Sequence, residues 1–257
     1  MNLTAFTHRS RWPLLLAAVP LLAACGGDPG ARLDGAPPDL GRGSKLVITT
    51  DNGVRLRPAE DDQVVLEARI DSRWSHRDDT WVLDLSCAGH EETEPDEQGD
   101  HEGECPRMPS VGVPAGVPVT VTARNAGIDV AGVAAALDLT TVNGDVTVAR
   151  SGLDDAALRL VTRNGSVRAG TLSSARLHAE TVNGDVTLTS ATSPSLLDAA
   201  TTNGSVRVTL PGDAPDYAVG ATTRNGRTSV GFPSATERNG HEMTLATVNG
   251  DVTAQRG

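Results

Sequence analysis

Over most of the chain apolar and polar positions alternate with a period of two, and Asn-Gly interrupts the alternation at regular intervals. The pair occurs at Asn143-Gly144, Asn164-Gly165, Asn183-Gly184, Asn203-Gly204, Asn225-Gly226 and Asn249-Gly250, in steps of 21, 19, 20, 22 and 24 residues. Aligned on the Asn, the copies form columns. Two residues earlier stands Thr every time: Thr141, Thr162, Thr181, Thr201, Thr223 and Thr247. Four and six residues earlier stand apolar residues, from Leu139 and Leu137 in the first copy to Leu245 and Met243 in the last. Polar residues such as Asp138, Arg159, His178 and Asp198 lie between them. After the Gly the alternation resumes with Val146, Val167, Val186, Val206 and Val252, Thr228 being the exception. Period two is the signature of a strand with one buried face. Each copy therefore predicts a strand, an Asn-Gly corner, a second strand and a looser corner.

Two weaker copies lie upstream. LVITTDNG (46–53) keeps the apolar, Thr, Asn-Gly order, and VTVTARNAGIDV (119–130) keeps it with one residue inserted before the Gly. Between them, residues 57–118 are irregular. They contain strand-like VVLEARI (64–70) and WVLDLSC (81–87), followed by an acidic loop. No helical period of useful length occurs.

Two all-β architectures fit this pattern. In a parallel β-solenoid, each copy of about 20 residues is one rung and equivalent residues stack about 4.8 Å apart. In an antiparallel meander or sandwich, each Asn-Gly is a two-residue hairpin turn. Stacking explains why the same Thr recurs at the same place, because identical small side chains line up in ladders. The solenoid is therefore the expected fold. Stacking in sequence order would make Gly184 an interior corner and Gly250 a terminal one with a single neighbour. The residue after each Gly runs Asp145, Ser166, Asp185, Ser205, Arg227, Asp251. This order separates the first acids by a serine, and Arg168 is expected diagonal to Asp145 and Asp185.

Charge and composition then narrow the class. Residues 1–24 hold Arg9 and Arg11 and no acid, so their removal takes the formal charge from −11 to −13. A surface this acidic repels phosphate backbones, which disfavours nucleic acid as a partner. Residues 1–24 read as a signal peptide, with a basic start and the apolar run LLLAAVPLLAA, which is too short to span a bilayer. The run ends in Leu22-Ala23-Ala24-Cys25, which resembles a bacterial lipobox, so Cys25 is expected to carry lipid and to hold the chain on the outer side of a membrane. Residues 25–44 are rich in Gly and Pro and read as a flexible tether. Cys87 and Cys105 flank the acidic loop, and outside the cytoplasm paired thiols tend to oxidise. A disulfide is the expected state. A metal site built from Cys87, His90, His101 and Cys105 is the alternative, although its spacing matches no standard finger.

TVNGDVTV, TTNGSVRV, the cysteine pair and PAGVPVTVTARNAGIDVAGV together resemble a bacterial adhesin-like domain family of unknown function, over roughly residues 45–257. The resemblance implies a β-solenoid and supplies no catalytic residues. A direct search for chemistry finds little. Asp145, Asp185 and Asp251 could act as paired carboxylates, but an acid after Asn-Gly is also ordinary turn chemistry. His76, His90, His101, His178 and His241 join no nucleophile motif, no phosphate loop occurs, and Trp74, Trp81, Tyr217 and Phe232 are few for a sugar platform. The expectation is a non-catalytic surface module without cofactor or metal, binding an envelope protein or glycan. The alternatives are an envelope enzyme acting on polysaccharide and an accessory sensor of an envelope signalling system.

Overall fold

A computed structural model describes residue 40 and residues 43–66, 72–86, 108–233 and 240–257. Every regular element in it is a strand. The strands pair off into rungs, each with one strand in either of two sheets. In chain order the first rung is β1 (Lys45–Thr50) and β2 (Val54–Pro58). An excursion follows through β3 (Val65–Leu66), β4 (Arg73–Arg77), β5 (Thr80–Asp84) and β6 (Ser110–Val113). Then come β7 (Val119–Ala123) with β8 (Ile128–Ala131), β9 (Leu137–Asn143) with β10 (Val146–Ala149), and β11 (Ala157–Asn164) with β12 (Val167–Leu172). The series continues with β13 (Arg176–Asn183) and β14 (Val186–Ser190), then β15 (Leu196–Asn203) and β16 (Val206–Leu210). It closes with β17 (Ala218–Asn225) and β18 (Thr228–Val230), and β19 (Glu242–Asn249) and β20 (Val252–Arg256).

Each sheet has ten strands, and all adjacent strands are parallel except at one end. There β4 pairs antiparallel with β5, and β3 with β6. No Asn-Gly forms a hairpin: the two strands that flank each pair lie in different sheets. The fold is a β-solenoid, and the antiparallel alternative survives only in these two end strands. The repeat columns are its core. Leu158, Leu177 and Leu197 stack in register, as do Val146, Val167, Val186 and Val206, and all are at most 1 % exposed. Burying each such side chain contributes about 1.5–3 kcal/mol relative to exposure.

The order of the rungs departs from the order of the copies. The last copy, β19–β20, sits between β15–β16 and β17–β18, so Gly250 is an interior corner and Gly226 the terminal one. At the other end, β1–β2 lies between β5–β6 and β7–β8. The physical reason is that all copies offer the same columns, so neighbours in sequence need not be neighbours in the stack. What sets the 218–230 copy apart is Thr228 in the valine column. At the end of the stack Thr228 is exposed, while the fully buried Val252 pairs with Val206 inside.

The 119–130 copy is also corrected. Register pairs Thr122 with Thr140 and Ile128 with Val146, so Ala126 takes the place of Gly144 and Gly127 that of Asp145. Nothing is inserted. The unusual corner is that of β1–β2, which is one residue shorter: a single Gly53 links Asn52 to Val54, where Ala126 and Gly127 link Asn125 to Ile128.

Candidate functional site

Three side-chain ladders run along the Asn-Gly corner. The innermost is the buried threonine column. Thr162 Oγ1 donates to the Gly144 carbonyl, Thr181 to Gly165, Thr201 to Gly184 and Thr247 to Gly204, each at 2.8 Å. Thr223 does the same to Gly250 at 2.9 Å, and Thr141 to the Ala126 carbonyl at 2.8 Å. Thr is needed here because one face must pack in the core while the hydroxyl satisfies a corner carbonyl that would otherwise be short of a partner.

The second ladder is exposed and made of asparagines. Asn164 Nδ2 donates to Asn143 Oδ1, Asn183 to Asn164 and Asn203 to Asn183, each at 2.9 Å. It continues from Asn249 to Asn203 at 2.8 Å and from Asn225 to Asn249 at 2.7 Å. The Asn amide carries its donor and its acceptor on two separate atoms, so each side chain can give to one neighbour and accept from the next.

The third ladder explains the residue after each Gly. Ser166 N–H donates to Asp145 Oδ1 at 2.7 Å, Asp185 N–H to Ser166 Oγ at 3.3 Å, and Ser205 N–H to Asp185 Oδ1 at 2.8 Å. Asp251 N–H then donates to Ser205 Oγ at 3.2 Å, and Arg227 N–H to Asp251 Oδ1 at 2.8 Å. In stack order the column reads Asp, Ser, Asp, Ser, Asp, Arg, so the acids stay apart throughout and every member but the last is an acceptor. Arg168 pairs with Asp145. Burial would raise the Asp145 pKa, but the Ser166 N–H and the Arg168 guanidinium outweigh it and hold the carboxyl below its usual value.

On the outer face of the first sheet lies a charge row. Arg159 meets Asp138 at 3.0 Å and Thr140 at 3.1 Å. His178 Nδ1 lies 3.1 Å from Asp198 and Nε2 lies 3.6 Å from Glu180. Hydrogen bonds to Asp198 and then Glu180 push the histidine up to about 9, while its partnership with His178 pulls Glu180 down against the opposing effect of burial. On the outer face of the second sheet a groove of about 670 Å³ is walled by Arg55, Arg57, Glu60, Asp61, Val65 and Leu66. Its Arg57 is already matched to Asp129 at 2.6 Å. Near the C-terminal end Tyr217 is fully buried, with its hydroxyl donating to the Pro194 carbonyl at 2.6 Å and its pKa pushed up to about 12 by burial.

A family model matches residues 118–255, the stretch that contains all six Asn-Gly corners and their ladders. The chain belongs to the Toastrack DUF4097 family. A solved structure from Clostridium sporogenes, of a protein provisionally assigned to cell adhesion, is similar over 88% of this chain and 98% of its own. Its identity to this chain is 12% and its TM-score 0.39. No curated protein matches.

The Toastrack rungs bring all twelve residues of the six Asn-Gly pairs onto one edge of the solenoid. They do not gather Asp145, Asp185 and Asp251 into a catalytic pair, since each is bonded along its column and Ser166 and Ser205 intervene. Among the described residues no three His, Cys, Asp or Glu groups cluster as metal ligands. Cys25, Cys87, Cys105, His90 and His101 lie outside the described residues, as do the signal peptide and most of the tether. Sequence reasoning missed the roles of Thr and of the Asp/Ser column as bonding ladders. The signal was present: of the six residues that follow an Asn-Gly, all but Arg227 of the terminal rung have a side-chain oxygen.

Proposed function

We propose that this Toastrack chain is a lipid-anchored cell-envelope protein acting as a non-catalytic, adhesin-like binding or structural module. The observation that supports this reading is the register. Rungs in line present equivalent outward positions in straight rows about 4.8 Å apart, a geometry suited to repeated contact with an extended partner. The titratable groups with displaced pKa values are tied to neighbours along the rungs or buried in the core, and none faces the groove. The membrane attachment rests on the lipobox. Cys25→Ser should move the protein from the membrane fraction to the medium, and unchanged membrane partition would refute the anchor. A pull-down from intact envelope, with the acidic loop 88–104 deleted as control, tests the binding role. Turnover of envelope polysaccharide by the purified chain would refute the non-catalytic reading.

A further inference from the structure

We propose that the open side of β17 is a docking edge that takes an extended acidic polypeptide strand. The proposal rests on the reading of the chain as a binding module and gives that module its contact surface. The two ends of the stack differ. At one, β4 runs antiparallel to β5, with Arg73 3.8 Å from Asp84. A charge-matched end strand discourages further pairing. At the other end β17 spans eight residues, and no described strand lies beyond it.

The backbone of β17 is half-used. Ala218 N–H donates to the His241 carbonyl on the β19 side. In a parallel ladder successive residues turn their N–H and C=O groups to opposite sides, so those of Val219, Ala221 and Thr223 point to the open side. No described residue takes these bonds. The side chains tell the same story. Val219 and Ala221 continue fully buried columns but are only partly buried, and Val230 is 36 % exposed. This is the surface that strand addition covers.

Charge selects the occupant. β17–β18 carries Arg224 and Arg227 and no acid, on a chain of net charge −11. One other rung is purely basic, β11–β12, and there two of the three arginines, Arg159 and Arg168, are matched by Asp138 and Asp145 of the adjoining rung, Arg163 alone being without an ion pair among the described residues. Arg224 and Arg227 make no ion pair among the described residues; Asp251 of the adjoining rung takes the Arg227 N–H at 2.8 Å, and no described strand lies on the other side to offer a second acid. A second copy does not fit. Its own β17 edge would bring the same two arginines, and its far end offers β4 with Arg73, His76 and Arg77. Arg227 also lacks the side-chain acceptor that the other five Asn-Gly rungs offer to the next corner N–H. A further Asn-Gly rung would go without that bond, whereas a single strand lying along β17 does not call on it.

The test uses the full chain and two labelled peptides as long as β17, one alternating Val with Asp and one alternating Val with Lys, read by fluorescence anisotropy. The acidic peptide should bind and the basic one should not. Ala221→Pro removes an outward N–H while leaving the bonds to β19, and Arg224→Glu/Arg227→Glu changes only exposed side chains. Each should weaken binding of the acidic peptide by about tenfold or more, a loss of about 1.4 kcal/mol. Arg163→Glu, on an inner rung, should leave it unchanged. Binding of neither peptide, equal binding of both, wild-type affinity in the two edge variants, or a dimer of the wild-type chain in sedimentation would each overturn the proposal. Failure of the peptide to bind while envelope pull-down still recovers a partner would remove the edge and leave the binding module standing.

Discussion

A single methyl group at residue 250 separates the observed rung order from stacking in sequence order. Gly250 has a φ of +145° and lies between Gly204 and Gly226. A Cβ built there would sit on the Gly204 carbonyl, well inside contact distance, just as one at Gly184 would sit on the Gly165 carbonyl. Both obstructions are backbone and cannot swing aside. Holding a side chain at such a φ costs about 1–3 kcal/mol. Forcing two rungs apart adds the weakening of the nearest ladder bonds, which at position 250 are Thr247 to Gly204 and Asn249 to Asn203. At about 1 kcal/mol each, the combined loss comes to about 3 kcal/mol or more for Gly250→Ala. In a chain of this size that lowers the melting temperature by roughly 6–12 °C. Gly184→Ala should fall equally far. Gly226→Ala should fall less, because β17–β18 has one neighbour and can shift outward. Thermal melts followed by far-ultraviolet circular dichroism measure all three. If Gly250→Ala melts with the wild type while Gly184→Ala falls, residue 250 is at an end and the inserted rung is wrong.

Thr181→Val keeps the shape of a buried side chain but strips the Gly165 carbonyl of its 2.8 Å donor, so denaturant unfolding should show a loss of about 1–3 kcal/mol, and no loss would deny the ladder its role. The raised His178 pKa means that its contribution to stability is complete below about pH 6.5 and disappears as pH rises through about 9. The side chain is 34 % exposed, so the contribution is at most about 1 kcal/mol, and the melting-temperature gap between wild type and His178→Gln should close between pH 6 and pH 10. Cys87 and Cys105 should be linked in the exported chain, as intact mass with and without reductant would report; two thiols that alkylate freely without reductant would exclude the bond.

The columns were legible because every copy solves the same problem. An inward position in a rung needs a small or apolar side chain whichever rung it belongs to, so the six copies repeat one Thr column between largely Leu and Val columns. That uniformity hides the rung order, since Met243 and Leu245 fit beside Leu197 and Ala199 as well as Val219 and Ala221 would. The clue was Thr228, whose hydroxyl suits only an exposed rung. The Asp/Ser column was read as charge spacing because both residues are also common in turns, and only the distances to the next corner N–H reveal a shared role as acceptors. The antiparallel pairing of β3 and β4 was not legible in 57–118, where no repeat constrains the register.

The placement of β19 one strand in from one end and of β1 two strands in from the other has a mechanical consequence. A pull on the chain at Lys45 or Arg256 does not reach an edge strand. Both strands are gripped on either side, so bonds on two flanks must slide together under shear, whereas an end strand would unzip one bond at a time. Tension applied at Lys45 or Arg256 therefore enters strands held on both sides, and the edge elements, β17 with β18 at one end and β4 with β3 at the other, are the ones it does not load.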